Sequence, residues 1–259
     1  MDTSKFFDLK GKTAIVTGGA NGIGKACCEI LAAYGANVVV SDYNLDDAIK
    51  TSKEINDDGG KAIAVHCDVT KDEALVSLVE QTVKEFGSIE ILVNNVGGGA
   101  AGRESPYDIT VEEFKRVYDM NVFSMWRLCQ LVAPEMKKAG YGSIINMSSM
   151  ASINTSPAIS AYASSKAAIN HMTRNLAYDF GPDNIRLNAI GPGATRTRAL
   201  STVLTPEIEK AMLKHTPIGR LGEAIDIAGA VLYFASPISS WTSGQVIFIN
   251  GGGEQTLDM

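Results

Sequence analysis

Tyr162 and Lys166 stand four residues apart in Tyr162-Ala163-Ser164-Ser165-Lys166, a stretch that reads as the start of a helix. Residues at that spacing share one helical face. A phenol with a pKa of about 10 transfers protons poorly near neutrality unless a cation stabilises its phenolate. An ammonium about 4 Å away, at an effective dielectric of about 20, contributes about 4 kcal/mol, or roughly three pKa units. The pair is therefore expected to act as a general acid or base close to pH 7. The same spacing also occurs on ordinary surface helices, so its surroundings decide. Upstream, Ile144-Ile145-Asn146-Met147-Ser148-Ser149 reads as a buried strand ending in two serines, and Pro157 separates it from the helix. Ser149 thus lies on a different element, where it could face Tyr162 and hydrogen-bond a substrate oxygen while the phenol exchanges its proton.

A second constellation lies near the N-terminus. Thr13-Ala14-Ile15-Val16 is followed by Thr17-Gly18-Gly19-Ala20-Asn21-Gly22-Ile23-Gly24 and then by a helical pattern at Ala26, Ile30, Leu31 and Ala33. Glycines let a backbone turn tightly and approach a pyrophosphate, and the helix start presents free N–H groups to the anion. Glycines also mark ordinary turns, but here a strand precedes, a helix follows, and an acid closes the next strand. That acid is Asp42, eighteen residues beyond Gly24. Its carboxylate suits a ribose diol and repels a 2′-phosphate. No lysine or arginine occupies positions 41–44 and Asn21 is neutral, so NAD is expected over NADP; only Lys25 stands near enough to favour a phosphate.

Three further features fit a cofactor cleft. Asn94-Asn95-Val96-Gly97-Gly98-Gly99 follows Ile91-Leu92-Val93, leaving room for a ligand beside a strand end. Cys67-Asp68-Val69 closes another strand, where Asp68 and Val69 could meet an adenine; a turn or N-cap role for Asp68 is equally open. In a helix expected over residues 110–133, Phe114, Val117, Asn121, Met125 and Leu128 form one stripe. The amide of Asn121 among apolar neighbours needs partners, either protein groups or a water linking Lys166 to solvent.

The elements that must hold these residues alternate along the chain. Strands are expected near residues 12–17, 36–42, 61–67, 89–94, 142–148, 185–190 and 245–249, with six helical segments between them. Such alternation predicts an α/β fold, a doubly wound parallel sheet of about seven strands in a single domain spanning residues 1–259, with ligands at the carboxyl ends of the strands. A net charge of −6 argues against nucleic acid as a partner. No apolar run reaches the roughly 20 residues of a membrane helix, and the first five residues lack a signal-peptide core, so a cytoplasmic protein is expected. The four cysteines and three histidines show no metal or redox spacing, so no metal is expected.

Taken together, Thr17-Gly18 to Gly24, Asn94-Asn95-x-Gly97, Asn121, Ser149 thirteen residues before Tyr162, Tyr162-x-x-x-Lys166 and Pro192-Gly193 resemble the short-chain dehydrogenase/reductase family over nearly the whole chain. That resemblance implies a Rossmann-type fold. It makes Tyr162 the acid/base, assigns Lys166 to the phenol and the nicotinamide ribose, and gives Ser149 the substrate oxygen and Asn121 the relay water. It implies cofactor contacts at Gly18, Asn21, Gly22, Ile23, Gly24, Asn95 and Gly97, and a nicotinamide cover from the segment containing Pro192, Gly193, Thr195 and Thr197. Val96 replaces the family's usual alanine, and Thr195 stands where an aliphatic residue is common. A homotetramer with contacts near residues 110–133 and 161–179 is likewise implied.

Residues 192–217 are the expected substrate loop. Its part 195–217, with Leu200, Val203, Leu204, Ile208, Met212 and Leu213, could be an apolar lid or a subunit contact. Leu131-Val132-Ala133-Pro134-Glu135-Met136, Leu204-Thr205-Pro206-Glu207-Ile208-Glu209 and the tail beginning Asn250-Gly251-Gly252-Gly253-Glu254 resemble the bacterial NAD-dependent 7α-hydroxysteroid dehydrogenase branch. This implies oxidation of the 7α-hydroxyl of a bile acid or related hydroxysteroid. The alternatives are a 3-oxoacyl-thioester reductase, another short-chain alcohol dehydrogenase, or a dinucleotide-sensing regulatory protein. Asp42 and the acidic balance disfavour the thioester reductase, and a sensor has no need of a tuned phenol.

Overall fold

All five residues of Thr13–Thr17 (β1) are buried, a pattern suited to the middle of a parallel sheet covered on both faces. The computed structural model describes residues 3–99, 104–155, 157–197, 200 and 204–253. Six further strands join β1: Asn37–Asp42 (β2), Lys61–His66 (β3), Ile91–Asn94 (β4), Gly142–Met147 (β5), Ile185–Pro192 (β6) and Val246–Ile249 (β7). All neighbours pair in parallel, in the order β3-β2-β1-β4-β5-β6-β7. The chain leaves β1 toward β3 and returns to β4 on the other side, creating the crevice where doubly wound sheets bind ligands.

Alternating side chains build a core on each face. Ala14, Val16, Val38 and Val40 pack with residues of Gly22–Ala33 (α1) and, from the far end of the chain, Ala224–Ala235. Ile15 and Val39 face the opposite layer, made with Asp72–Phe86 (α3), Ser124–Ala139 (α5) and Ser160–Phe180 (α6). Leu45–Asp57 (α2), Val111–Tyr118 (α4), Pro206–Lys214 (α7) and Ala224–Ala235 (α8) complete the α-helices among the described residues. There are thus eight described α-helices rather than six, because two short or divided ones lie within long connections.

The single helix expected over residues 110–133 is the main correction. It is two α-helices joined by a π-helical turn, Asp119–Phe123, and α5 continues to Ala139 before Gly140 ends it in a left-handed conformation. Of the expected stripe, Val117, Asn121, Met125 and Leu128 are buried and Phe114 is half-buried. The stripe's periodicity does not reveal that the turn around Asn121 carries an extra residue, since one wide turn barely disturbs helical spacing. β6 also runs two residues beyond its expected end, taking Gly191 and Pro192 into the sheet.

Candidate active site

The turn after β1 is built by its glycines. Gly18 and Gly22 have φ of 62° and 54°, a conformation that disfavours side chains. A Cβ at Gly24 would collide with the Gly18 carbonyl, so that glycine lets α1 pack under the turn. Asn95 ties this turn to β4, with Nδ2 donating to the carbonyls of Thr17 (3.0 Å) and Gly18 (3.1 Å). A cleft of about 660 Å³ opens above it. Among the residues expected at a cofactor, Gly18, Asn21, Gly22, Ile23, Asn95, Gly97, Tyr162, Lys166, Pro192, Gly193, Thr195 and Thr197 line it, and so does Ser149. Val96, Met147 and Ser148 also line it; of these, only Val96 had a sequence signal.

Asp42 lies at the rim of the glycine turn rather than in the cleft wall. Its Oδ2 accepts from the Ala20 N–H (3.1 Å) and its Oδ1 from that of Asn44 (3.0 Å), holding the carboxylate at the end of β2. Lys25 is engaged elsewhere: its ammonium contacts Glu54 at 2.5 Å and Glu29 at 3.7 Å. It is therefore drawn toward α2 and away from the role of phosphate ligand. Asn21 donates to Asp47 (3.1 Å), which brings a second carboxylate beside the turn.

Asp68 and Val69 do not line the cleft. Asp68 Oδ1 accepts from the Thr70 N–H (3.0 Å) and hydroxyl (2.7 Å), and these bonds hold its carboxyl below the usual range. This is the local turn role left open by the sequence. Val69 is buried in the core layer behind.

At the other end of the cleft, β5 ends at Met147 and Ser149 caps the short turn Met150–Ser152, accepting from the Ala151 N–H at 3.1 Å. Ser149 stands near enough to the Tyr162 side chain across the gap to lower the phenol's proton affinity, and both side chains line the cleft. Lys166 lies one turn beyond on α6 and is 3% exposed. Its Nζ donates to the Met147 carbonyl (2.8 Å) and stands 5.7 Å from the centre of the Tyr162 ring. A Cβ at Gly97 would sit 2.6 Å from that Nζ and 3.2 Å from Asn121 Oδ1. Gly97 is thus the position at which the chain makes way for the lysine head.

The Asn121 amide is satisfied by protein groups. It accepts from the Gly98 N–H (2.9 Å) and donates to the Gly98 carbonyl (3.0 Å) and the Ser165 hydroxyl (2.8 Å). It therefore stitches the glycine segment after β4 to α6 just ahead of Lys166.

The electrostatics correct the simplest expectation from the Tyr162–Lys166 spacing. Burial pushes the Tyr162 phenol above its ordinary pKa; the Ser149 side chain acts downward and the charge of Glu104 acts upward. Burial also lowers Lys166 to about 8. The two residues share a face, as four-residue spacing requires, but the ammonium's protein partner is the Met147 carbonyl, and desolvation dominates at the phenol. An additional positive charge beside the phenol would be needed to bring it toward neutrality.

After β6 the chain is stapled in place. Gly193 N–H donates to the Ile249 carbonyl (2.9 Å) and Arg196 N–H to that of Gly222 (2.7 Å). Thr195, the departure from an aliphatic residue, uses its hydroxyl on the Gly193 carbonyl (3.1 Å), and so shapes the segment internally. Helix α7 follows, with no fully buried residue and with Ile208, Met212 and Leu213 half-buried. Val203 lies outside the described residues.

The chain is similar to known proteins over nearly its whole length. A family model described as enoyl-(acyl carrier protein) reductase matches residues 18–254. The 7alpha-hydroxysteroid dehydrogenase of Escherichia coli K12 is 49% identical over 250 residues, covering 96% of this chain and 97% of the relative. The 3alpha-hydroxysteroid dehydrogenase of Mediterraneibacter gnavus is 38% identical over 250 residues, covering 95% and 98%. A solved 7α-hydroxysteroid dehydrogenase, complexed with NADH and 7-oxo glycochenodeoxycholic acid, superposes with a TM-score of 0.96 at 49% identity, covering 100% of both chains. A Mycobacterium marinum short-chain type dehydrogenase/reductase gives a TM-score of 0.89 at 35% identity, covering 96% and 97%. On this agreement of sequence and fold, the chain belongs to the short-chain dehydrogenase/reductase family and is an oxidoreductase.

Proposed function

We propose that this protein transfers a hydride between NAD and the 7α-position of a bile acid, interconverting the 7α-hydroxyl and the 7-ketone. The observation that carries the reading is that Ser149, Tyr162 and Lys166 meet on the wall of one cleft, with the Lys166 ammonium 5.7 Å from the centre of the Tyr162 ring. The substrate class rests on the likeness to hydroxysteroid dehydrogenases.

The residues present fit a dinucleotide. The positive-φ glycines and the start of α1 offer a pyrophosphate cradle, and Asp42 stands where a ribose diol is read. Gly18, Asn21, Gly22, Ile23, Asn95, Pro192, Gly193, Thr195 and Thr197 would hold it, with Gly24 packing beneath. When bound, the nicotinamide supplies the hydride acceptor or donor. The chain supplies the rest. Ser149 orients the substrate oxygen, and Tyr162 Oη as phenolate takes the hydroxyl proton during oxidation or returns it during reduction. Lys166 favours the charged phenol and Asn121 fixes the segment against which Lys166 packs; a water held near Asn121 would carry the proton outward. Asp68 and Val69 remain candidates for the adenine end.

Several coarser features support the setting. The half-buried apolar face of α7 suits a lid over a steroid within residues 192–217, and Arg196 anchors it through Glu209 and Glu223. Phe123 and Trp126, 57% and 41% exposed on adjoining elements, suit the subunit contacts of a homotetramer. No described helix is long and apolar enough to cross a membrane, and the four cysteines are buried and free, in keeping with a cytoplasmic setting.

Formation of NADH with a panel of bile acids tests the proposal. Cholate and chenodeoxycholate should be oxidised, and deoxycholate, which lacks the 7-hydroxyl, should not. Turnover of acyl thioesters in place of cholate would favour the reductase reading instead, and tight dinucleotide binding without turnover would favour a sensor.

A further inference from the structure

Helix α6 begins without a cap of its own. Ile159 occupies the N-cap position and offers no side-chain acceptor, although the first N–H groups of a buried helix need partners. The acceptor comes from 57 and 58 residues away: Glu104 Oε2 takes the N–H of Ala161 (2.8 Å) and that of Tyr162 (3.1 Å). Glu104 is only 3% exposed. Its backbone pairs with the same junction, bridging to Ile159 and donating its N–H to the Ala158 carbonyl. Ala158 itself has a φ of 53°, a strained conformation for a residue with a side chain. On the other side, a Cβ at Gly99 would stand 3.0 Å from Glu104 Oε1 and 3.7 Å from Tyr162 Cβ, so the glycine leaves space for the carboxylate beside the tyrosine.

Capping alone does not call for this arrangement. A serine or asparagine at position 159 would satisfy the same N–H groups without taking a carboxylate out of water. What Glu104 adds is a negative charge at the backbone of the reactive tyrosine. We propose that Glu104 is a positioning residue for Tyr162: its carboxylate anchors the first turn of α6 from another loop, and its charge opposes that of Lys166 at the phenol. This rests on Tyr162 being the acid/base.

The groups facing the phenol from each packed element support that balance. Among the described residues, the end of β5 contributes the neutral Ser149, α6 contributes Lys166, Gly97 to Gly99 after β4 contribute no charge, and the loop before α4 contributes Glu104. On the same helix, Ser164 and Ser165 accept hydrogen bonds from Tyr118 and Asn121. The Glu104 charge raises the proton affinity of Tyr162, whereas Ser149 lowers it. In oxidation the phenolate is the active form, so activity rises with pH through the phenol's pKa; removing the opposing charge must move that limb to lower pH.

The experiment is the pH profile of kcat for bile-acid oxidation in the whole enzyme saturated with NAD. Glu104→Gln can keep both cap bonds while losing the charge, and its limb should move about one pH unit toward acid. Glu104→Ala loses charge and cap together; its limb should move the same way while its plateau rate falls about tenfold. Glu104→Asp keeps the charge and is the second variant if either neutral one fails to fold; its limb should stay within about 0.3 units of wild type. An unmoved limb in Glu104→Gln or Glu104→Ala, or a limb moved about one unit toward acid in Glu104→Asp, overturns the proposal. Tyr162→Phe separates the two readings: if it turns over normally, the acid/base assignment fails, whereas a dead Tyr162→Phe with an unmoved Glu104→Gln limb refutes Glu104 alone.

Discussion

Lys166 Nζ stands 5.7 Å from the centre of the Tyr162 ring and spends a hydrogen bond on the Met147 carbonyl. The lysine head is thus bonded away from the phenol, and burial raises the phenol's proton affinity in the protein alone. A cationic oxidised nicotinamide would add the missing positive charge. Phenolate absorbance, taken as wild type minus Tyr162→Phe, should emerge above the ordinary tyrosine range without dinucleotide and move to lower pH when NAD is added. A near-neutral phenolate without dinucleotide would contradict this.

Lys166 is held at a cost to stability. Its ammonium has a pKa of about 8 in the fold against 10.5 in the open chain. The folded state disfavours the charged form, so the penalty is fully present below about pH 8 and fades as pH rises toward 10.5. The shift corresponds to about 3 kcal/mol, partly offset in a variant by the Met147 carbonyl losing its donor. Lys166→Met should raise Tm by about 3–6 °C at pH 7, with the gain gone near pH 10.5, while turnover collapses. Thermal melts across that range check the sign; a lower Tm at pH 7 would show that Lys166 is not strained by burial.

Cofactor choice should follow Asp42. Lys25 is held by Glu54 and Glu29, and the carboxylates of Asp42 and Asp47 beside the turn should repel a 2′-phosphate. Asp42→Ala should lower the ratio of kcat/KM for NAD over NADP by about ten- to a hundredfold, or about 1.4–2.8 kcal/mol. An unchanged ratio would remove Asp42 from that role.

Gly97→Ala probes the space around the lysine head. Its methyl would meet Lys166 Nζ and Asn121 Oδ1, and overpacking of that kind costs about 1–3 kcal/mol. The expected result is at least about a tenfold loss of kcat with thermal stability reduced by a few degrees. Wild-type kcat would mean the lysine can move without consequence.

The parallel sheet was legible because its strands are uninterrupted apolar runs such as Ala14-Ile15-Val16 and Val38-Val39-Val40, each followed by a turn and a helical pattern. The glycine turn and the serine, tyrosine and lysine were legible because their chemistry depends on residue type and short spacing. Glu104 was not, because its partners lie in α6 and only the folded chain brings them together. The π turn at Asn121 escaped for a different reason: its apolar stripe runs on almost unbroken. The raised proton affinity of Tyr162 depends on desolvation, which spacing does not encode.

Everything in the chemistry converges on one hydroxyl. The direct measurement is steady-state oxidation of cholate by Tyr162→Phe beside a calorimetric titration of the same variant with NADH. Dinucleotide affinity should stay within about threefold of wild type while kcat falls at least about a thousandfold, since the cleft is intact but its proton acceptor is gone. Turnover within tenfold of wild type, with NADH bound normally, would contradict the account.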